Sequence, residues 1–112
     1  MSIFSQEDYY GKIEYKRYFN IRDQERLEKY TTQMNYRINE GQGNSIYLIG
    51  INDNGSIYGL TEEEIEKNID ILLKITKLLD LNVSIIIKCR YKNKNFFICK
   101  LKSNNFDESL IL

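Results

Sequence analysis

The chain has 112 residues, with 16 Lys+Arg balancing 16 Asp+Glu and no His, Pro or Trp. That length bounds one domain with a real core and little room for a second. Absent histidine removes the usual general base at neutral pH and the commonest metal ligand, so nucleophile–His triads and His-containing zinc sites are excluded. A net charge of zero speaks against a nucleic-acid partner only if the charges are evenly spread.

Ile, Asn, Lys and Tyr supply 49 of the 112 residues, and Ala is absent. These four share AT-rich codons, so the bias reports the coding genome and lowers the weight of any single Asn or Lys. Cys89 and Cys99 fall in neighbouring predicted strands. A secreted scaffold would need more bridges, so they read as reduced thiols. Residues 1–3 open no signal peptide, and no apolar run approaches the roughly 18 residues of a membrane span. The expected location is cytoplasmic.

Residues 1–10 form a polar lead, 11–102 a single domain and 103–112 a tail. Residues 11–19 read as a strand, with Ile13, Tyr15 and Arg17 on one side and Lys12, Glu14, Lys16 and Tyr18 on the other. Asn20 and Asp23 both offer N-caps for a helix over 23–39. Its buried stripe is Leu27, Tyr30, Met34 and Ile38. Rotated from that stripe lies a second row, Arg22, Arg26, Lys29, Gln33 and Arg37, four of them cationic. Such a row is either a solvated face paired with Glu25 and Glu28 or a phosphate-contacting one.

Glu40-Gly41-Gln42-Gly43-Asn44 supplies a left-handed cap and a turn. A phosphate-binding loop runs from strand into helix N-terminus, and this one runs the other way. With no G-x-x-x-x-G-K-[ST] string either, the domain alone is not expected to bind nucleotide. Residues 45–52 make a strand apolar on both sides, hence central in the sheet. Asn52-Asp53-Asn54-Gly55 predicts a tight hairpin with a short return strand over 56–59.

Thr61-Glu62-Glu63-Glu64 is a capping box whose carboxylates favour a helix start, which accounts for the charge run without a metal. That helix reaches Leu79, with Ile65, Ile69, Leu72, Ile75 or Thr76, and Leu79 facing inward. Residues 83–91 form a β-branched strand, 91–95 a turn and 96–101 the return. The tail ends in Phe106 and Leu110-Ile111-Leu112, an apolar end that needs a partner. The order β-α-β-β-α-β-β implies an α/β (α+β) two-layer sandwich, two helices on one face of a mixed sheet.

The zero charge is a cancellation. Residues 61–80 hold six acidic and three basic side chains, while 88–102 hold six basic ones (Lys88, Arg90, Lys92, Lys94, Lys100, Lys102) and no acidic one. Lys88, Arg90 and Lys92 share a face, as do Lys100 and Lys102. A cationic hairpin is a phosphate-contacting arm or a charged edge kept from aggregating. Together with Lys12, Lys16 and Arg17 and the cationic helix row, it favours RNA. Tyr9, Tyr10, Tyr18 and Tyr36 are placed to stack on unpaired bases. Gln33, Gln42 and Gly43 are expected to make closer contacts, since glycine lets backbone approach an RNA end.

One string of motifs carries a resemblance: Ile13-Glu14-Tyr15-Lys16, Thr32-Gln33-Met34, Arg37, Glu40-Gly41-Gln42-Gly43, Ile46-Tyr47, Ile49-Gly50, Asp53, Gly55, Gly59-Leu60 and Glu62-Glu63-Glu64. From about residue 11 to 101 the chain resembles the N-terminal domain of the GTP-binding protein 1 and 2 family, translational GTPases related to elongation factors. In that family the domain precedes a GTPase module, and no phosphate-binding loop follows here, so the chain is expected to be either an excised fragment or a stand-alone version. A stand-alone chain of this size and composition is similar to the dormancy factors of microsporidian spore ribosomes. The resemblance implies a monomeric, non-enzymatic hibernation protein without cofactor or metal, bound at the tRNA exit site of the ribosome and excluding tRNA. An alternative docks the domain on a GTPase in trans through the apolar tail.

Strand one and the later run LIGINDNGSIYGL are also similar to the AlbA-like domain of Schlafen-type proteins, some of which cleave tRNA with three carboxylates. That likeness puts acids at Glu14 and at Asp53 or its neighbour. The third position falls on Tyr9, beside Asp8, leaving the metal cluster incomplete.

Overall fold

The computed structural model describes residues 3–21 and 23–104. Its elements are β1 (Ile13–Lys16), α1 (Gln24–Glu40), β2 (Asn44–Ile49), α2 (Glu62–Leu78), β3 (Leu81–Tyr91) and β4 (Lys94–Ser103). The sheet order is β1-β2-β4-β3, with β1 and β2 parallel and the other neighbours antiparallel. The fold is therefore the expected α+β sandwich on a mixed sheet, with β2 central.

Local chemistry sets the helices. The Asp23 carboxylate accepts from the Arg26 N–H at 2.9 Å and opens α1. Thr61 and Glu64 close the expected box at α2, at 3.0 and 3.1 Å. An N-cap of this kind contributes about 1 kcal/mol. Leu27, Tyr30, Met34 and Ile38 then meet Ile65, Leu72 and Ile75 over Tyr47, Ile49, Phe97, Cys99 and Leu101. This is the main core, between the helices and one face of the sheet.

The return strand expected over 56–59 is reduced to isolated bridges, Ile51 with Ile57 and Leu60 with Asn95. The Asn52 turn does form, the Asn52 N–H donating to Ser56 O and the Gly55 N–H to Asn52 O, each at 2.9 Å. Both sides of β2 are already taken by β1 and β4, so no ladder position is left for a return strand. Tyr58 and Gly59 donate instead to Gly50 O, and Leu60 to Asn95 O.

A second cluster covers the other sheet face: Tyr15, Leu48, Ile51, Ile57 and Phe96, with Phe4 packed against it. The Phe4 ring sits edge-on to Phe96 at 5.8 Å, and its N–H donates to Gly55 O at 3.2 Å. Gly55 is required there, because a Cβ would lie 2.0 Å from Phe4 O. The Tyr15 hydroxyl donates to Ser5 O at 2.8 Å. The lead read as a polar flank is thus part of the packing. Cys89 and Cys99 pair with Phe96 and Ile86, on opposite faces of the sheet, and both are free thiols. Phe106 and Leu110–Leu112 lie outside the described residues.

Candidate nucleic-acid interface

Because β1 and β2 run parallel and β4 returns between β2 and β3, the sheet has two chemically distinct ends. At one end lie the last residues of β1 and β2 and the β3–β4 turn. There a hollow of about 330 Å³ is lined by Lys16, Arg17, Tyr18, Arg26, Asn52 and Asp53, among others. The Lys16 ammonium stands 5.3 Å over the Tyr30 ring, and the Arg17 guanidinium 5.3 Å over Tyr58. Arg17 Nε donates to Asn52 Oδ1 at 3.0 Å. The Tyr18 and Tyr58 rings lie 5.9 Å apart, tilted 36°, and are 37% and 41% exposed. Among the described residues, Lys16, Arg17 and Arg26 enter no ion pair.

A second hollow of about 320 Å³ adjoins the first, lined by Asn52, Ser56, Ile57, Tyr91, Lys92 and Lys94. Asn52 belongs to both. The Lys92 ammonium lies 5.4 Å over the Tyr91 ring, and Lys94 Nζ donates to Ile57 O at 3.2 Å. Five of the expected cations therefore gather at one sheet end. Tyr58, Asn52 and Tyr91 were not among the expected contacts. Tyr58 and Asn52 join the site only because the loop after β2 folds back across the sheet end, which no local spacing signals, and Tyr91 joins it beside Lys92 in the second hollow.

The remaining expected residues are dispersed. Lys88 and Arg90 oppose Phe97 and Asn95 on the helix side of the sheet, whereas Lys100 and Lys102 oppose Ile46 and Asn44 on the far side. The hairpin is thus not one cationic face. Lys88 Nζ pairs with Glu66 Oε1 at 2.9 Å, and that hydrogen bond and charge raise its pKa. Arg90 donates to Asn93 Oδ1 at 3.3 Å. Lys12, Gln42, Gly43 and Lys102 belong to the opposite sheet end.

The Gln42–Gly43 backbone does not stand free for RNA. The Gly43 N–H donates to Ile38 O at 2.9 Å and its carbonyl accepts from Ser103 at 2.8 Å. The left-handed residues are Gln42 and Gly43, not Gly41. Gly41 is needed because a Cβ would meet Asn44 O at 1.8 Å. These glycines close a helix-to-strand turn.

Lys29, Gln33 and Tyr36 line a third, mixed-charge cavity of about 760 Å³ with Tyr9, Glu7, Glu14, Glu25, Glu28 and Arg37. Arg37, expected on the exposed cationic row, is buried at 3% exposure. Its guanidinium lies 3.4 Å from Glu14 and 3.8 Å from Glu7, and donates to Gly11 O and Asp8 O at 2.8 and 2.9 Å. It ties the lead and β1 to α1 and presents no free charge to a phosphate. Arg22 lies outside the described residues.

Glu14, expected on the outer side of β1, is buried too. Burial pushes its pKa up to about 8. The hydrogen bond and charge of Glu7 add to the rise, while Lys16 and Arg37 oppose it. The carboxyl beside Glu14 is thus Glu7, and neither Asp8 nor the position of Tyr9 supplies it, with Arg37 set against both. Among the described residues no group of three or more His, Cys, Asp or Glu is disposed to hold a metal.

The fold and this sheet end define a small two-layer α+β domain presenting cations and tyrosines together. Its sequence is similar to uncharacterized protein R625 of Acanthamoeba polyphaga mimivirus, 40% identical over 81 residues, which is 71% of this chain and 44% of the viral protein. It is also similar to GTP-binding protein 2 of Mus musculus and of Homo sapiens, 36% identical over 76 residues, 68% of this chain and 13% of theirs. The chain spans less than half the length of these relatives, and most of it is related to one region of GTP-binding protein 2. No family model and no solved structure matches. Among the described residues no helix is long and apolar enough to cross a membrane.

Proposed function

We propose that this protein is a non-enzymatic, cytoplasmic hibernation factor that binds rRNA as a monomer, at the tRNA exit site, and excludes tRNA from an idle ribosome. The observation that carries the reading is the gathering of Lys16, Arg17, Arg26, Lys92 and Lys94 with Tyr18, Tyr58 and Tyr91 at one sheet end, in a chain of zero net charge. Clustered cations gain affinity by releasing counterions from phosphates, and exposed aromatic rings accept unpaired bases. Kinship with a region of GTP-binding protein 2, together with the resemblance to the N-terminal domain of translational GTPases, supports the ribosome as the RNA's source.

Sedimentation of the tagged protein through a sucrose gradient tests this directly. Co-migration with ribosomal particles at low salt, reduced by excess deacylated tRNA, is the expected result. Protein that stays at the top of the gradient at low salt overturns the reading. Magnesium-dependent tRNA cleavage, lost in Glu14→Gln, would replace it with the Schlafen-like alternative.

A further inference from the structure

We infer that the tyrosine-lined end of the sheet is a track for an unpaired polynucleotide strand, and not a patch for duplex. This rests on the proposal that the protein binds RNA and specifies what kind of RNA the site takes.

Continuity is the first ground. The two hollows meet at Asn52, whose Oδ1 accepts from Arg17 and whose Nδ2 donates to Ser56 Oγ at 3.0 Å. Asn52 is held from both sides, so one fixed residue borders both hollows and a strand long enough to span them passes over it. The second ground is the pairing of two of the three exposed rings with a cation, Arg17 at 5.3 Å from Tyr58 and Lys92 at 5.4 Å from Tyr91, while Tyr18 lies against Tyr58 at 5.9 Å. A base laid on such a ring has its own phosphate within reach of the adjacent positive charge, which is the combination that single-strand grooves use.

The third ground is what a duplex would leave unused. Bases in A-form RNA are already stacked on one another, and proteins meet that helix through phosphates and 2′-hydroxyls. Tyr18, Tyr58 and Tyr91 are 37%, 41% and 40% exposed, and a duplex offers their faces nothing to stack on. Asp53 is the carboxylate among the first hollow's lining. It disfavours a phosphate at that spot and offers an acceptor to an exocyclic amine, again a group that only an unpaired base presents freely.

The test compares a labelled ten-nucleotide mixed-sequence single strand with a duplex of the same length, by fluorescence anisotropy. Tighter binding of the single strand is expected. Tyr18→Ala with Tyr58→Ala should weaken it about tenfold while leaving duplex affinity in place. Tyr18→Phe with Tyr58→Phe keeps the ring faces and should restore it. Lys74→Glu, on the outer face of α2, should change neither. Photocrosslinking of 4-thiouridine strands to the unaltered protein should label peptides containing Tyr18, Tyr58 or Tyr91, a readout that does not depend on how the alanine variant folds.

Equal affinity for both RNAs, or crosslinks confined to other peptides, overturns the track even if ribosome co-sedimentation holds. Failure of the unaltered protein to bind ribosomes and either RNA overturns the proposed function along with it.

Discussion

The carboxyl of Glu14 keeps its proton near neutral pH because burial removes the water that would stabilise its charge, and the adjacent Glu7 adds repulsion. An unfolded chain gives up that proton near pH 4.5, against about 8 in the fold. The stabilisation linked to this raised pKa is full below about 4.5, and is lost as pH rises through about 8. Glu14→Gln retains a neutral group of the same shape. Urea titrations at pH 5 and 8 should therefore show a decline of roughly 1–3 kcal/mol in the parent and a flatter profile in the variant. An identical decline in both would show that Glu14 does not titrate with folding. Neither Glu14 nor Arg37 was legible as an inside residue. Strand alternation put one outside, helical periodicity put the other on a cationic row, and only contact between elements 23 residues apart reveals a shared buried site.

Among the elements, the β3–β4 turn holds Lys92 and Asn93 both at positive φ, 48° and 64°. Two-residue hairpins with a type I′ turn require this of both central residues, which is why Asn-Gly is the usual solution. Lysine in a left-handed conformation costs about 1 kcal/mol, so the turn keeps a cation against its own backbone preference. Lys92→Gly should raise the melting temperature while weakening RNA binding, opposite signs that thermal denaturation and a filter-binding curve would separate. A variant that binds RNA unchanged would remove Lys92 from the site. This turn was legible as a loop over 91–95, and the structure tightens it because β3 and β4 extend to Tyr91 and Lys94. Asn52–Gly55 was legible as a turn, whereas its missing return strand depends on both neighbours of β2, which no window around residue 55 contains. Helix stripes and caps were readable because they are local.

For the whole molecule, zero net charge and a cation-rich sheet end coexist because topology, not composition, decides where charge collects. If five cations each displace a counterion from a single strand, log affinity should fall against log salt with a slope of about −3.5. Lys92→Glu should flatten it by close to one cation's share. A slope near zero would mean that the sheet end does not meet phosphate. Lys16, Arg17, Arg26, Lys92 and Lys94 were identifiable as cations from the sequence. That they form one site, while Lys12 and Lys102 sit at the far end and Lys88 is spent on Glu66, needed the strand order.

The packing of the lead also fixes where this domain can be cut. Phe4 closes the second sheet face over Tyr15 and Phe96, the Glu7 backbone N–H donates to Asp53 O at 2.7 Å, and Arg37 grips the carbonyls of Asp8 and Gly11. A fragment begun at the first strand would bare an aromatic surface and strand a buried guanidinium with Glu14 alone left of its four acceptors. Excision from a longer polypeptide, or grafting onto another, has to place its junction upstream of Phe4.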